Sequence, residues 1–212
     1  MSAVANSPWA WLPNAVTYSR VGVAIGLIAG AIYLSFTSPN AAPVWFGLTA
    51  FVAYVLGALT DFIDGALARA LNVQSEAGAR LDPMADKALA FGALCFVAAA
   101  NGFSWLIVLA GVVIVLRDFW IDRLRARQPK AAGLKVSPLA KIKTALLFVS
   151  LGFLFTGLQP WPDIFGRISN GAWTYAVGGF LPGVTLLWIA AFLAVLTGWR
   201  YVRAFRVTSG GA

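Results

Sequence analysis

Long, almost unbroken apolar runs constrain this chain more than any other feature. GVAIGLIAGAIYLSF, WFGLTAFVAYVLGALT, SWLIVLAGVVIVL and LPGVTLLWIAAFLAVLTGW hold no charged residue between them. About 20 apolar residues in a helix cross the hydrocarbon core of a bilayer. A soluble protein with a very large core is the competing reading. With 60% hydrophobic and 11% charged residues and a mean hydropathy of +0.79, the chain lies outside the range of soluble domains. The expectation is an all-α integral membrane domain with six transmembrane helices at roughly 15–36, 43–70, 83–100, 104–126, 137–158 and 180–204. Pro13, Pro43, Pro83, Pro138 and Pro182 fall near the starts of five of these, where a missing N–H is harmless. Residues 1–14 include the Trp-rich SPWAWLP and suit an interfacial segment. The membrane domain then covers 15–206, with a tail at 207–212. No cleavable leader is expected, because the first residues lack a basic segment followed by an apolar one.

Charge gives the orientation. Loops 37–42 and 101–104 carry no Lys or Arg, and loop 159–179 carries Arg167 alone; Trp161, Trp173 and Tyr175 mark that loop as an outer interfacial segment. The other loops hold Arg80, Arg123, Arg125, Arg127, Lys130 and Lys135, and Arg200, Arg203 and Arg206 close the chain. Positive loops stay in the cytoplasm, so both termini are expected there. The net charge of +8 sits where apolar runs end rather than on one soluble face. That pattern fits membrane topology and anionic lipid and argues against nucleic acid. One cysteine, Cys95, excludes an intrachain disulfide, and the absence of histidine excludes imidazole ligands and bases. Chemistry here must use carboxylates, Lys, Arg, hydroxyls or metal.

Those carboxylates are concentrated in residues 61–86. Asp61 and Asp64 are i, i+3 neighbours on a helix, and Asp82 and Asp86 are i, i+4 neighbours, so each pair shares a face. Four carboxylates beside apolar runs face an interior or polar cavity and repel unless cations sit between them. Hard oxygen donors suit Mg²⁺, Mn²⁺ or Ca²⁺. A structural network with Arg69, Arg80 and Lys87 is the competing reading. A ligand ring in a divalent-cation transporter is another, although Asp163 is the one acid on the outer side.

The pattern Asp61-x2-Asp64-Gly65-x2-Ala68-Arg69-x8-Gly78-x3-Asp82-x3-Asp86 resembles the signature of the CDP-alcohol phosphatidyltransferases at every defined position. In that family an alcohol displaces CMP from a CDP-linked lipid. The resemblance implies two divalent metals, Mg²⁺ or Mn²⁺, on Asp61, Asp64, Asp82 and Asp86, with Asp86 also the general base. It implies a CDP site lined by Asp61, Gly65, Ala68, Arg69 and Gly78. Gly65 and Ala68 also suit helix packing, and Arg69 suits a topology anchor.

LPNAVTYSR, Leu12 to Arg20, resembles the opening of the phosphatidylglycerophosphate synthases and their cardiolipin-synthase relatives. Asn14, Thr17 and Arg20 share one side of a helix that faces the nucleotide or the metal cluster; an N-cap at Asn14 and a lone anchor at Arg20 compete with that. Asn14 and Thr17 are assigned to the CDP site and Arg20 to the acceptor's phosphate. Arg117-Asp118-x5-Leu124-Arg125 resembles a run of the same group, with Asp118 where Glu is usual. Ala140-Lys141-Ile142-Lys143-Thr144 resembles its Gly-Lys-x-Lys-Thr. Lys141 and Lys143 point about 200° apart on an ideal helix, so one of them faces the cavity, with Lys143 and its neighbour Thr144 favoured. Arg117 with Lys143 or Lys141 would make an anion pocket suited to an acceptor carrying phosphate. The expected reaction is CDP-diacylglycerol with sn-glycerol 3-phosphate, giving phosphatidylglycerophosphate and CMP. A CMP-forming cardiolipin synthase and a phosphatidylinositol-phosphate synthase are the alternatives. A homodimer in a bacterial inner membrane, with the site facing the cytoplasm, completes the expectation.

Overall fold

The computed structural model describes residues 12–37, 43–71, 76–127, 138–156 and 179–209. Residues 1–11, loop 159–178 and the last three residues lie outside the described residues. So do the side chains of Asn14, of residues 61–71 and of residues 76–80, although their backbone is helical. Among the described residues there are six α-helices: α1 (Leu12–Phe36), α2 (Val44–Leu71), α3 (Glu76–Ala100), α4 (Trp105–Arg127), α5 (Pro138–Thr156) and α6 (Leu181–Ser209).

Four stretches, Thr17–Phe36, Leu81–Ala100, Leu139–Thr156 and Leu181–Arg203, are long and apolar enough to cross a membrane. The apolar part of α2 is shorter, Trp45–Thr60. In α4 the apolar run ends where Arg117, Asp118, Asp122 and Arg123 enter the helix. Large apolar side chains point away from the bundle along most helices, among them Ile25, Phe36, Leu116, Phe192 and Trp199. Apolar surface on that scale is a lipid-facing surface rather than a solvated one.

One boundary differs from expectation. Helix α3 begins at Glu76 rather than near residue 83, so Pro83 lies inside the helix. Proline removes one i to i−4 hydrogen bond, and here the group left without it is the Ala79 carbonyl near the helix start. The longer helix puts Asp82 and Asp86 on one continuous element, a turn apart.

Lipid tails are as apolar as leucine, so association of these helices rests on close packing and interhelical hydrogen bonds rather than on water exclusion. Among the described glycines, the closest backbone-to-backbone approach joins α1 and α3. A Cβ at Gly92 would lie 2.7 Å from the Ala24 carbonyl oxygen, so only a hydrogen in place of a side chain lets the two backbones meet. Toward the other face, Phe96 stacks on Phe155 (5.5 Å between centroids) and Phe155 on Tyr54 (5.1 Å). The Tyr54 hydroxyl donates to the Phe148 carbonyl at 2.8 Å, which ties α2 to α5.

The α3–α4 connection is a tight turn through Gly102 and Phe103, both at positive φ (62° and 53°). The Phe103 N–H donates to the Ala98 carbonyl at 2.7 Å, and the Ser104 carbonyl accepts from the Ile107 and Val108 N–H groups that open α4. This hairpin returns the chain antiparallel, so the start of α3 and the end of α4 share one end of the bundle.

Candidate active site

The contacts between charged and polar side chains gather at that same end. They join the first turns of α1 and α3, the last part of α4, the start of α5 and the last part of α6. The alternating direction of the helices explains why: odd-numbered helices begin at this end, and even-numbered helices finish there.

Two clusters of opposite sign form. In the first, α1 packs on α3 so that the Thr17 hydroxyl donates to Asp82 Oδ1 at 2.7 Å. Arg20 Nη1 donates to Asp86 Oδ1 at 2.6 Å, and its Nη2 lies 3.6 Å from Asp82 Oδ1. Arg20 is 1% exposed, whereas the Asp82 and Asp86 side chains are 46% and 33% exposed. The arginine therefore lies behind the carboxylates, and the carboxylates keep an open side. Among the described residues one guanidinium faces two carboxylates, so their charges sum to net negative. Helix α2 runs to the same end with Asp61 and Asp64 in its final turns.

The second cluster lies between α4, α5 and α6. Lys143 is buried and donates to both carboxylate oxygens of Asp118 at 2.8 Å. Arg117 Nη1 donates to Asp118 Oδ1 at 2.8 Å, Nη2 to Thr197 Oγ1 at 2.9 Å and Nε to the Ala194 carbonyl at 3.0 Å. Two cations share one carboxylate here, so the cluster is net positive. Charges inside a helix bundle are costly and persist only when paired. Among the described residues one unit of this positive charge has no carboxylate partner, an arrangement that can attract an anion. Lys87, the neighbour of Asp86, pairs with Asp122 on α4 and joins the two clusters.

Several sequence-derived groupings separate in the structure. Arg20 lies on the Asp82–Asp86 pair rather than with Arg117 and Lys143, because it sits about two turns into α1 and α1 packs on α3. Thr17 lies on the same pair. Lys143 points inward and Lys141 outward, while Thr144 is exposed and donates back to the Ala140 carbonyl at 3.2 Å. The side chains of Asn14, Asp61, Asp64, Gly65, Ala68, Arg69 and Gly78 lie outside the described residues, and among the described residues no three carboxylates form a metal-binding group. The donors that are described fit a hard divalent cation: two carboxylates a turn apart, partly open, with two more acids on the helix that ends beside them. Sequence reasoning missed Thr197 and the Ala194 carbonyl. The available signal was a threonine followed by glycine in an otherwise apolar last helix, opposite an arginine that needed acceptors.

Comparison with known proteins agrees with the motif. Residues 10–196 match the family model described as CDP-alcohol phosphatidyltransferase. A protein from Cereibacter sphaeroides named CDP-diacylglycerol–glycerol-3-phosphate 3-phosphatidyltransferase is 35% identical over 91% of this chain and 94% of its own length. Proteins of the same name from Rickettsia bellii and Salmonella choleraesuis are 32% and 29% identical, over 91% and 92% of this chain and 94% of each relative. With four helices of membrane-crossing length and bacterial relatives, the chain is an integral membrane protein.

Proposed function

The chain belongs to the CDP-alcohol phosphatidyltransferase family, and from that premise we propose that it transfers a phosphatidyl group from CDP-diacylglycerol to sn-glycerol 3-phosphate, giving phosphatidylglycerophosphate and CMP. What supports this acceptor is the net-positive Arg117–Asp118–Lys143 cluster at the same end of the bundle as Asp82 and Asp86. Serine or free inositol would give such a cluster nothing to bind, whereas an acceptor with its own phosphate would. The relatives' names point the same way.

In this reading Asp61, Gly65, Ala68, Arg69 and Gly78, with Asn14, line the CDP site, and Thr17, buried against Asp82, supports it from behind instead of lining it. Gly65 and Ala68 give a bulky nucleotide room to approach. The family is generally divalent-metal dependent, and two Mg²⁺ or Mn²⁺ ions would be held by Asp61, Asp64, Asp82 and Asp86. When bound they neutralise the pyrophosphate and the departing CMP. Arg20 and Thr17 orient the Asp82 and Asp86 carboxylates from behind. Arg117 and Lys143 hold the acceptor's phosphate, and Lys141, exposed on the other side of the helix, does not take part. Asp86 takes the proton of the glycerol hydroxyl as its oxygen attacks the lipid-side phosphorus; the P–O bond to CMP breaks, and CMP leaves with the bonding pair. The finer topology belongs to the same proposal: six spans, both termini and the active site on the cytoplasmic side of a bacterial inner membrane, and a homodimer packed through Gly- and Ala-bearing faces.

The test is CMP release by purified protein in detergent with CDP-diacylglycerol and Mg²⁺, one acceptor per tube. Release with glycerol 3-phosphate, and not with phosphatidylglycerol, inositol phosphate, inositol or serine, is the expected result. Release with phosphatidylglycerol alone would overturn the acceptor assignment and make the cationic cluster a lipid-headgroup contact.

A further inference from the structure

Arg117 is held from two sides. Its own helix supplies Asp118, but the other two contacts come from α6: the Thr197 hydroxyl at 2.9 Å and the Ala194 carbonyl at 3.0 Å. The Thr197 hydroxyl is itself fixed, since it donates to the Leu193 carbonyl at 2.7 Å and so presents its lone pairs to Arg117. The next residue, Gly198, makes the room. A Cβ there would lie 3.3 Å from both Cγ and Nε of Arg117, tighter than ordinary packing. Thr197 and Gly198 therefore form a slot on α6 that receives the arginine's stem and sets the plane of its guanidinium.

We infer that Thr197 is the positioning residue of the acceptor-phosphate pocket: it aims Arg117 without touching the acceptor. The inference rests on the reading that Arg117 binds the acceptor's phosphate. A guanidinium carries five N–H groups. In Arg117 one on Nε and one on each terminal nitrogen are engaged, which leaves one on each terminal nitrogen with no partner among the described residues. Those two are the donors a phosphate would take. A purely structural tie between α4 and α6 would not need a charged group with spare donors, and apolar packing would hold the helices at lower cost. Fixing the guanidinium before the acceptor arrives lowers the ordering cost of binding. The family match ends at residue 196, just before this slot.

The experiment compares steady-state kinetics of Thr197→Val, Thr197→Ser and Gly198→Ala with the parent enzyme, each assayed for CMP release with glycerol 3-phosphate and CDP-diacylglycerol varied in turn. Valine keeps the shape of threonine and removes the acceptor for Arg117 Nη2. It should raise the KM for glycerol 3-phosphate about ten-fold, the scale set by one charge-assisted hydrogen bond, and leave the KM for CDP-diacylglycerol and the kcat within about two-fold. Serine restores the hydroxyl and should restore the acceptor KM. Gly198→Ala, which crowds the arginine without removing a bond, should raise the same KM. An unchanged acceptor KM in Thr197→Val and Gly198→Ala, while Arg117→Ala raises it, would overturn the inference and leave the pocket standing. An unchanged acceptor KM in Arg117→Ala would overturn the reading beneath it. A Thr197→Val defect that serine does not rescue, or that moves both KM values equally, would show a structural role and sink the positioning claim.

Discussion

Replacing Arg20 with methionine tests the carboxylate cluster most directly. Methionine fills a similar volume, so the change removes charge and hydrogen bonding from a site that is 1% exposed without opening a large cavity. Among the described contacts the principal loss is the 2.6 Å bond to Asp86; the 3.6 Å approach to Asp82 adds a weaker Coulombic contribution. A hydrogen bond to a charged group contributes about 1.5–3 kcal/mol. Breaking a fully buried ion pair costs about 3–5 kcal/mol, because the remaining charge is stranded. Here the partners are 46% and 33% exposed, so water can solvate the released carboxylates. That places the cost near the lower figure, about 2 kcal/mol. For a chain of this size each kcal/mol moves Tm by about 2–4 °C, so Arg20→Met should unfold about 4–8 °C earlier in detergent with EDTA, followed by circular dichroism. Removing the resident cation also leaves the carboxylates more negative, so added Mg²⁺ should raise the Tm of Arg20→Met by more than it raises that of the parent. Equal Tm values in EDTA, together with equal Mg²⁺ shifts, would refute the argument that Arg20 compensates the aspartates.

Two further outcomes follow from the same geometry. Gly92→Ala places a Cβ 2.7 Å from the Ala24 carbonyl and must part α1 from α3; with overpacking costs of about 1–3 kcal/mol, its Tm should fall by several degrees, whereas Gly26→Ala, where nothing lies within 4 Å, should not lower it and can raise it through helix propensity. Asp61→Ala, Asp64→Ala, Asp82→Ala and Asp86→Ala should each reduce CMP release by about 100-fold or more; full activity in any one of them would break the two-metal assignment.

The helices were legible because each apolar run is bounded by charge, proline or glycine, signals that act within a few residues. The start of α3 was not legible. Pro83 reads locally as a first-turn residue, yet the helix begins at Glu76 and tolerates it inside, because the only hydrogen bond lost is at an end. The aspartate motif was legible through its spacing. That only one of Lys141 and Lys143 turns inward was legible through the helical angle between them; the angle does not choose which, and Thr144, expected inward beside Lys143, is exposed. The partner of Arg20 was only half legible: the shared face of Thr17 and Arg20 was expected to meet the nucleotide or the metal cluster, yet Arg20 was assigned to the acceptor's phosphate, and the Gly92–Ala24 approach of α1 to α3 puts it on Asp82 and Asp86 instead. Thr197 was hidden. Its role depends on an arginine eighty positions away, and a lone threonine in an apolar helix has no local pattern to announce it.

The two clusters also explain each other. Asp82 and Asp86 carry two negative charges against the one positive charge of Arg20, and Arg117 and Lys143 carry two positive charges against the one negative charge of Asp118. Among the described residues each cluster thus holds one counter-ion of the opposite sign, which keeps like charges together and falls short of neutralising them. Had the cations paired directly with the aspartates, both sets would be satisfied and neither would attract a ligand. Their separation onto α1–α3 and α4–α5–α6 prevents that collapse, and the exposed Lys87–Asp122 pair is the link between them. A reaction that brings a cation-bound pyrophosphate together with an anionic alcohol needs such a layout: residual negative charge on one side, residual positive charge on the other, and neither spent on its neighbour.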